Sequence, residues 1–197
     1  PVKAWFFPPS EPVLRYRYLG SGVELEQPSP ALEPRVIFGV RPCDAAGLSI
    51  LDQVFNSDVE DGFYTRRRAM TTIVGLSCTH PAASCFCTSV GLSPTASAGS
   101  DMLLTPMGDA GYLVETLTAR GEQLLWEYGH YFGAGECQSK DVVTKAAEAR
   151  MSRQATLAQG IELSERLFEH PIWAEVARKC VGCGICASAI SPSGGDA

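Results

Sequence analysis

Three cysteines near the C-terminal end of the chain have the spacing of iron–sulfur ligands. They are Cys180, Cys183 and Cys186, arranged as C-x2-C-x2-C. This is the spacing of the first three ligands in a bacterial [4Fe–4S] ferredoxin loop, which continues to a fourth cysteine and a proline. Gly182 and Gly184 permit the tight turns that such a loop needs. The sequence therefore predicts three thiolate ligands to a [4Fe–4S] cluster.

The fourth ligand of this loop is missing from the sequence. Ile190 stands at its position, and Pro192 lies one residue later than the usual proline. Three thiolates suit a [3Fe–4S] cluster or a [4Fe–4S] cluster with an outside ligand, and a third possibility is a true fourth cysteine lost after Ala189. Half of a zinc site is the alternative, but the third cysteine at this spacing favours iron–sulfur.

A second group of cysteines lies in the first half of the chain: Cys43, Cys78, Cys85 and Cys87. Side chains at i and i+2 of an extended segment point the same way, so we expect Cys85 and Cys87 to reach one metal site. We predict a second iron–sulfur site from these four residues. Zinc, a redox dithiol and inert thiols remain alternatives, since a lone free cysteine is typically a small buried hydrophobe. Cys137 stands apart, and we expect it to be structural.

The elements that must position the second group are those of an α/β fold. Residues 36–40 and 71–76 are short apolar runs that predict two buried strands. Residues 45–55 between them have helical periodicity, with Asp44 as the expected N-cap. A strand–helix–strand order predicts parallel strands. Cys43 and Cys78 would then follow the carboxyl ends of neighbouring strands, on the same edge of the sheet.

The rest of the chain predicts further short elements and three regions. We expect an edge strand at 13–18, a loop or short helix at 58–68, strands at 102–105 and 112–117 joined by a turn at 108–111, helices at 121–131 and 140–168, and a short helix opening at Pro171. The prediction is an α/β domain over residues 1–135, a helical linker over 136–170, and a truncated, α-helical ferredoxin-like domain over 171–197.

Composition excludes several classes of protein. The formal net charge of −6 argues against a nucleic-acid surface, which is basic. No run of 18 apolar residues is present, so we expect no membrane span, and no signal peptide is visible. Clustered cysteines in a chain that is 45% hydrophobic indicate metal binding rather than a secreted disulfide framework. We therefore expect a cytoplasmic protein, where thiolate ligands stay reduced.

A short basic run, Arg66, Arg67 and Arg68, interrupts this acidic chain. A solvated loop is one interpretation. The other is a cofactor-binding role, in which the guanidinium groups compensate the charge of an anionic cluster or of a flavin phosphate on a partner.

Several short stretches occur in an order that resembles a known family. They are residues 8–14, 39–44, 64–68, 75–78, 84–89, 101–105 and 111–115. Arg41-Pro-Cys-Asp44 combined with Cys85-Phe-Cys87 is the most specific pair. Together they resemble the 4Fe–4S dicluster family that includes the β subunit of sulfhydrogenase-type nickel–iron hydrogenases, and they are similar to the corresponding electron-transfer subunit of anaerobic sulfite reductase.

The resemblance implies an electron-transfer subunit with no bond chemistry of its own. Such a subunit passes electrons between a flavoprotein partner that binds FAD and NAD and a catalytic hydrogenase or sulfite reductase subunit. The family normally has two ferredoxin motifs in its C-terminal domain, so we expect this chain to be truncated at both ends. Two other functions compete with this one: a zinc-binding scaffold module, and a thiol-redox sensor that uses Cys85 and Cys87.

Overall fold

The computed structural model describes residues 2–8, 10–28, 33–134, 140–154, 156–178 and 180–182. Six strands lie in this part of the chain: β1 (Arg15–Leu19), β2 (Gly22–Glu26), β3 (Arg35–Val40), β4 (Thr71–Leu76), β5 (Met102–Pro106) and β6 (Tyr112–Thr116). The same part contains six α-helices: α1 (Pro42–Phe55), α2 (Gly62–Ala69), α3 (Ala119–Tyr128), α4 (Lys140–Glu148), α5 (Leu157–Leu167) and α6 (Ile172–Ala177).

A four-stranded sheet organises the fold, with strand order β3-β4-β5-β6. β3, β4 and β5 are parallel, and β6 returns antiparallel to β5. The predicted strand–helix–strand unit with parallel strands is therefore confirmed, and the chain is an α/β protein. Most of the predicted ferredoxin-like region lies outside the described residues.

Helices cover both faces of this sheet because its central strands are apolar on both sides. On one face, Ile73 of β4 packs with Ala45 and Leu48 of α1 and with Tyr64 of α2. On the other face, the next residue along β4 belongs to a second cluster with β5 and α3. Successive side chains of β4 thus enter two different cores, as the period of a strand requires.

The strand at 36–40 is present as β3, but the prediction that it is buried was wrong. The side chains of Val36 and Phe38 are 50% and 71% exposed. β3 is an edge strand of the sheet. Helix α3, on the same face as Val36 and Phe38, packs on β4 and β6. An apolar run therefore identified the strand without identifying its position in the sheet.

Helix α1 begins three residues earlier than predicted. Pro42 occupies the first helical turn, Arg41 is the extended N-cap residue, and Asp44 lies inside the first turn, so the prediction that Asp44 caps the helix was wrong. Proline suits this position because its missing N–H has no helical partner there. Cys43 is therefore part of the helix rather than of the preceding turn.

Two further predictions are refined by the structure. The uncertain segment at 58–68 contains α2, capped by the Asp61 carboxylate, which accepts hydrogen bonds from the amides of Phe63 and Tyr64 at 2.9 and 3.0 Å. The single helix predicted over 140–168 is instead two helices, α4 and α5. The break follows Glu148, and Met151 beyond it is buried.

Candidate metal centre

The carboxyl ends of β3 and β4 bring two cysteines to one edge of the sheet. Cys43 lies in the first turn of α1, directly after β3, and Cys78 lies two residues beyond the end of β4. Parallel neighbouring strands end at the same edge, which is where open α/β folds build their sites. The structure places both residues as the sequence predicted.

The segment between β4 and β5, residues 77–101, carries three cysteines and is called the cysteine loop here. Its backbone folds back on itself: the amide of Cys78 donates to the carbonyl of Pro94 at 2.8 Å, and the amide of Leu92 donates to that of Cys87 at 3.1 Å. Cys87 opens a 3₁₀ helix, Cys87–Val90. The expectation of an extended Cys85–Cys87 segment was therefore wrong, because the chain is already helical at Cys87.

A close backbone approach holds the cysteine loop against α1. Gly99 has φ of +79°, and a Cβ atom built there would lie 1.9 Å from the carbonyl oxygen of Ala45. Only glycine allows this contact, because it has no Cβ and adopts positive φ without strain. Ala45 is two residues from Cys43, so the contact fixes the loop beside the first turn of α1.

Electrostatic coupling connects Cys43, Cys78, Cys85 and Cys87, called the sheet-edge cysteines here. Burial raises the pKa of Cys43 to about 11, with further increases from the charges of Asp44 and Cys87. Burial also raises the pKa of Cys87, with added contributions from Cys85 and Cys78. Cys87 thus acts on Cys43 and is itself acted on by Cys85 and Cys78.

The sheet-edge cysteines have the donor chemistry for a metal ion or for an iron–sulfur cluster. All four side chains are half-buried, and none of them forms a disulfide. Among the described residues, no three Cys, His, Asp or Glu side chains converge closely enough to hold one metal ion. A tetrahedral zinc ion with Zn–S bonds of ~2.3 Å would require sulfurs about 3.8 Å apart. A cluster accepts a wider arrangement, since each thiolate binds a different iron.

Helix α4 lies over the cysteine loop, whereas the sequence analysis placed its residues in the helical linker. Thr144 is hydrogen-bonded to Thr95 at 2.7 Å, and Glu148 accepts a hydrogen bond from Ser93 at 3.2 Å. Beyond the helix, Met151 contacts the thiol of Cys87. These contacts pack α4 on the α/β unit, while the division of the chain at residues 135 and 170 stays a prediction.

Cys180 is the cysteine of the C-terminal motif that lies among the described residues. Cys180 is exposed, and its sulfur accepts a hydrogen bond from the amide of Gly182 at 3.4 Å. Gly182 has φ of +69°, the left-handed turn expected of it. Amide-to-sulfur hydrogen bonds are a feature of iron–sulfur ligand loops. Cys183 and Cys186, with Cys137, lie outside the described residues.

The basic run lies on α2, which leads into the amino end of β4, at the opposite edge of the sheet from the cysteines. Arg67 forms an ion pair with Glu11 and donates to the carbonyl of Phe6. Arg68 forms an ion pair with Asp52 at 3.2 Å. These contacts give Arg67 and Arg68 a structural role, and the cofactor-binding role of Arg66, Arg67 and Arg68 stays a prediction.

The sheet face that bears α3 also contains a cavity that the sequence did not suggest. Its volume is about 530 Å³. It is lined by alternate residues of the four strands and by aromatic side chains at and after the end of α3: Val36, Phe38, Val74, Leu76, Met102, Leu104, Tyr112, Val114, Leu124, Tyr128, Tyr131 and Phe132. The signal available was the run of apolar residues at the start of β5 and of β6. The lining carries no cysteine, so the cavity is separate from the sheet-edge cysteines.

Comparison with known proteins gives one informative relationship. The chain is 33% identical over 156 residues, or 77% of its length, to "Sulfhydrogenase 2 subunit beta" of Pyrococcus furiosus. The chain is related to the sulfhydrogenase β subunits. This confirms the family resemblance predicted from the cysteine motifs. The chain spans 45% of that relative's length.

The other comparisons add no relationship. No protein-family model matches the chain, and no solved structure matches it. Within the described residues, every helix is too short or too polar to cross a bilayer.

Proposed function

We propose that this chain is part of an iron–sulfur electron-transfer subunit. In this proposal the sheet-edge cysteines hold one cluster, and Cys180, Cys183 and Cys186 supply three ligands to a [4Fe–4S] cluster. The observation that carries the proposal is the grouping of four half-buried, electrostatically coupled thiols at the carboxyl edge of a parallel sheet. The relationship to a sulfhydrogenase β subunit supports it independently.

The residues of the site suit this role because they can bind an iron–sulfur cluster, orient its ligands and shield it from water. When bound, an iron–sulfur cluster supplies reversible one-electron exchange without making or breaking substrate bonds. The thiols must lose their protons to act as ligands, and binding of iron opposes the raised pKa values of Cys43 and Cys87. The close contact of Gly99 with α1 holds the cysteine loop beside the helical turn that carries Cys43.

The partners in this proposal are a flavoprotein that binds FAD and NAD and a catalytic subunit of the hydrogenase or sulfite reductase type. The relative is by name a subunit of sulfhydrogenase, which supports a multisubunit assembly. The cytoplasm is the proposed location, because a reducing compartment keeps the clustered cysteines available as ligands. Arg66, Arg67 and Arg68 are the residues proposed to compensate the charge of an anionic group on a partner.

Anaerobic purification followed by iron and acid-labile sulfide analysis tests the proposal. We expect a brown protein, and we expect Cys43→Ser, Cys85→Ser and Cys87→Ser each to lower its iron content. Cys137→Ser is the matched control and should leave iron unchanged. Equal iron in all four variants would refute the sheet-edge site. A colourless protein with stoichiometric zinc would favour a scaffold, and a reversible Cys85–Cys87 disulfide without metal would favour a thiol sensor.

A further inference from the structure

The turn that follows α4, residues 149–151, makes contacts with the cysteine loop that a connector does not require. The guanidinium of Arg150 donates to the carbonyl of Thr79 at 2.8 Å. The thiol of Cys87 donates to the sulfur of Met151 at 3.7 Å, and the hydroxyl of Thr88 lies 3.9 Å from the same sulfur. Two consecutive residues, Arg150 and Met151, therefore hold opposite ends of the Cys78–Cys87 stretch.

The helix behind these two residues is itself fixed to the α/β unit. The amine of Lys140 at its start forms an ion pair with Glu115 of β6 at 2.6 Å. Ala147 is buried, and Thr144 is hydrogen-bonded to Thr95 at 2.7 Å. Because α4 is anchored along its length, Met151 is presented to Cys87 from a rigid element rather than from a free linker.

We propose that the turn after α4 is a cover for the sheet-edge site, in which Met151 positions the Cys87 ligand and limits its exposure to water. This inference rests on the proposed function. Met151 is 8% exposed, although it follows a helix whose outer residues are solvated. A methionine side chain is apolar and polarisable, so it packs closely on a sulfur ligand without competing for its charge.

The cover has a defined electrostatic consequence. A cluster held by four thiolates is anionic, and reduction adds another negative charge. Exclusion of water disfavours the more highly charged form, so a shielded cluster has a more negative reduction potential than an exposed one. Met151 is accordingly a positioning residue: it acts on the potential and on the access of solvent through Cys87.

Three variants of the full chain separate shielding from general stability. Met151→Ala removes most of the cover, and Met151→Leu keeps its volume without the sulfur. Val142→Ala truncates a residue on the outer face of α4, where the side chain is 68% exposed. Met151→Val, a smaller truncation, is used in place of Met151→Ala if the alanine variant does not fold.

The first measurement uses metal-free protein under reducing conditions. The rate of alkylation of Cys87 by iodoacetamide at one alkaline pH is measured by site-resolved mass spectrometry, with Cys85 as the internal reference. We expect a severalfold rise at Cys87 in Met151→Ala and wild-type rates in Met151→Leu and Val142→Ala. An unchanged rate at Cys87 in Met151→Ala overturns the inference, whether or not the protein binds iron.

The second measurement uses iron-loaded protein and a potential titration followed by electron paramagnetic resonance. We expect Met151→Ala to keep the wild-type iron content while its potential moves to more positive values. A wild-type potential with intact iron contradicts the cover. If no variant, wild type included, binds iron, the proposed function fails, and the alkylation rates alone decide whether Met151 shields Cys87.

Discussion

Replacement of Gly99 by alanine should separate the cysteine loop from α1. The new Cβ would lie 1.9 Å from the carbonyl oxygen of Ala45, whereas ordinary van der Waals contact begins at 3.4 Å. The backbone would have to move, at a cost of ~1–3 kcal/mol for forced overpacking. The left-handed φ of +79° adds about 1–2 kcal/mol for any residue with a Cβ. We expect the free energy of unfolding to fall by about 2–5 kcal/mol.

Gly91 provides the matched control in the same loop. Its φ is +77°, nearly that of Gly99, but a Cβ there would meet nothing within 4 Å. Gly91→Ala should therefore cost only about 1–2 kcal/mol, which is the conformational part alone. Urea unfolding of the metal-free protein measures both variants, and iron content should fall further for Gly99→Ala. Equal destabilisation by the two substitutions would refute the close approach as the contact that fixes the loop.

Two further predictions concern a buried carboxylate and a half-buried thiol. Asp101 is 6% exposed and accepts hydrogen bonds from the amide of Ile73 at 2.8 Å and the hydroxyl of Thr118 at 2.6 Å. Asp101→Ala should lower the free energy of unfolding by about 2–4 kcal/mol, because each buried donor left unpaired costs ~1–3 kcal/mol. Asp101→Asn, which keeps an acceptor, should lower it less. Equal losses for the two variants in urea unfolding would contradict this prediction. The pKa of Cys43 is raised from 9.0 to about 11, so the unfolded chain loses this proton first, and the stability of the metal-free protein should fall between pH 9 and pH 11. Cys43→Ser should remove the part of this loss of stability that comes from the Cys43 thiol. A variant whose stability varies with pH as in the wild type would contradict the prediction.

The sequence predicted the parallel core of the fold because the signal there is local. β4 is a continuous apolar run, and such runs are typical of strands buried on both faces. β3 has the same pattern but lies at the sheet edge, and no local signal distinguishes the two positions. The predicted start of α1 is three residues late because Asp44 has the side chain of an N-cap residue, although Pro42 is itself a signal for the first helical position.

The candidate site was predictable in part for the same reason. The common edge of Cys43 and Cys78 follows from two parallel strands, which the strand–helix–strand pattern predicts. The position of α4 and its following turn over the cysteine loop does not follow from this pattern. It depends on contacts between residues far apart in the sequence, such as Thr95 with Thr144 and Cys87 with Met151. Polar and sulfur contacts of this kind leave no periodic pattern in a single sequence.

The central claim is that the sheet-edge cysteines hold an iron–sulfur cluster. The most direct test is electron paramagnetic resonance of anaerobically purified protein after reduction by dithionite, in a Cys180→Ser variant that disables the C-terminal motif. We predict iron and acid-labile sulfide in equal amounts and a cluster signal that Cys87→Ser abolishes. A protein without iron and sulfide, or a signal that survives Cys87→Ser unchanged, would contradict the account.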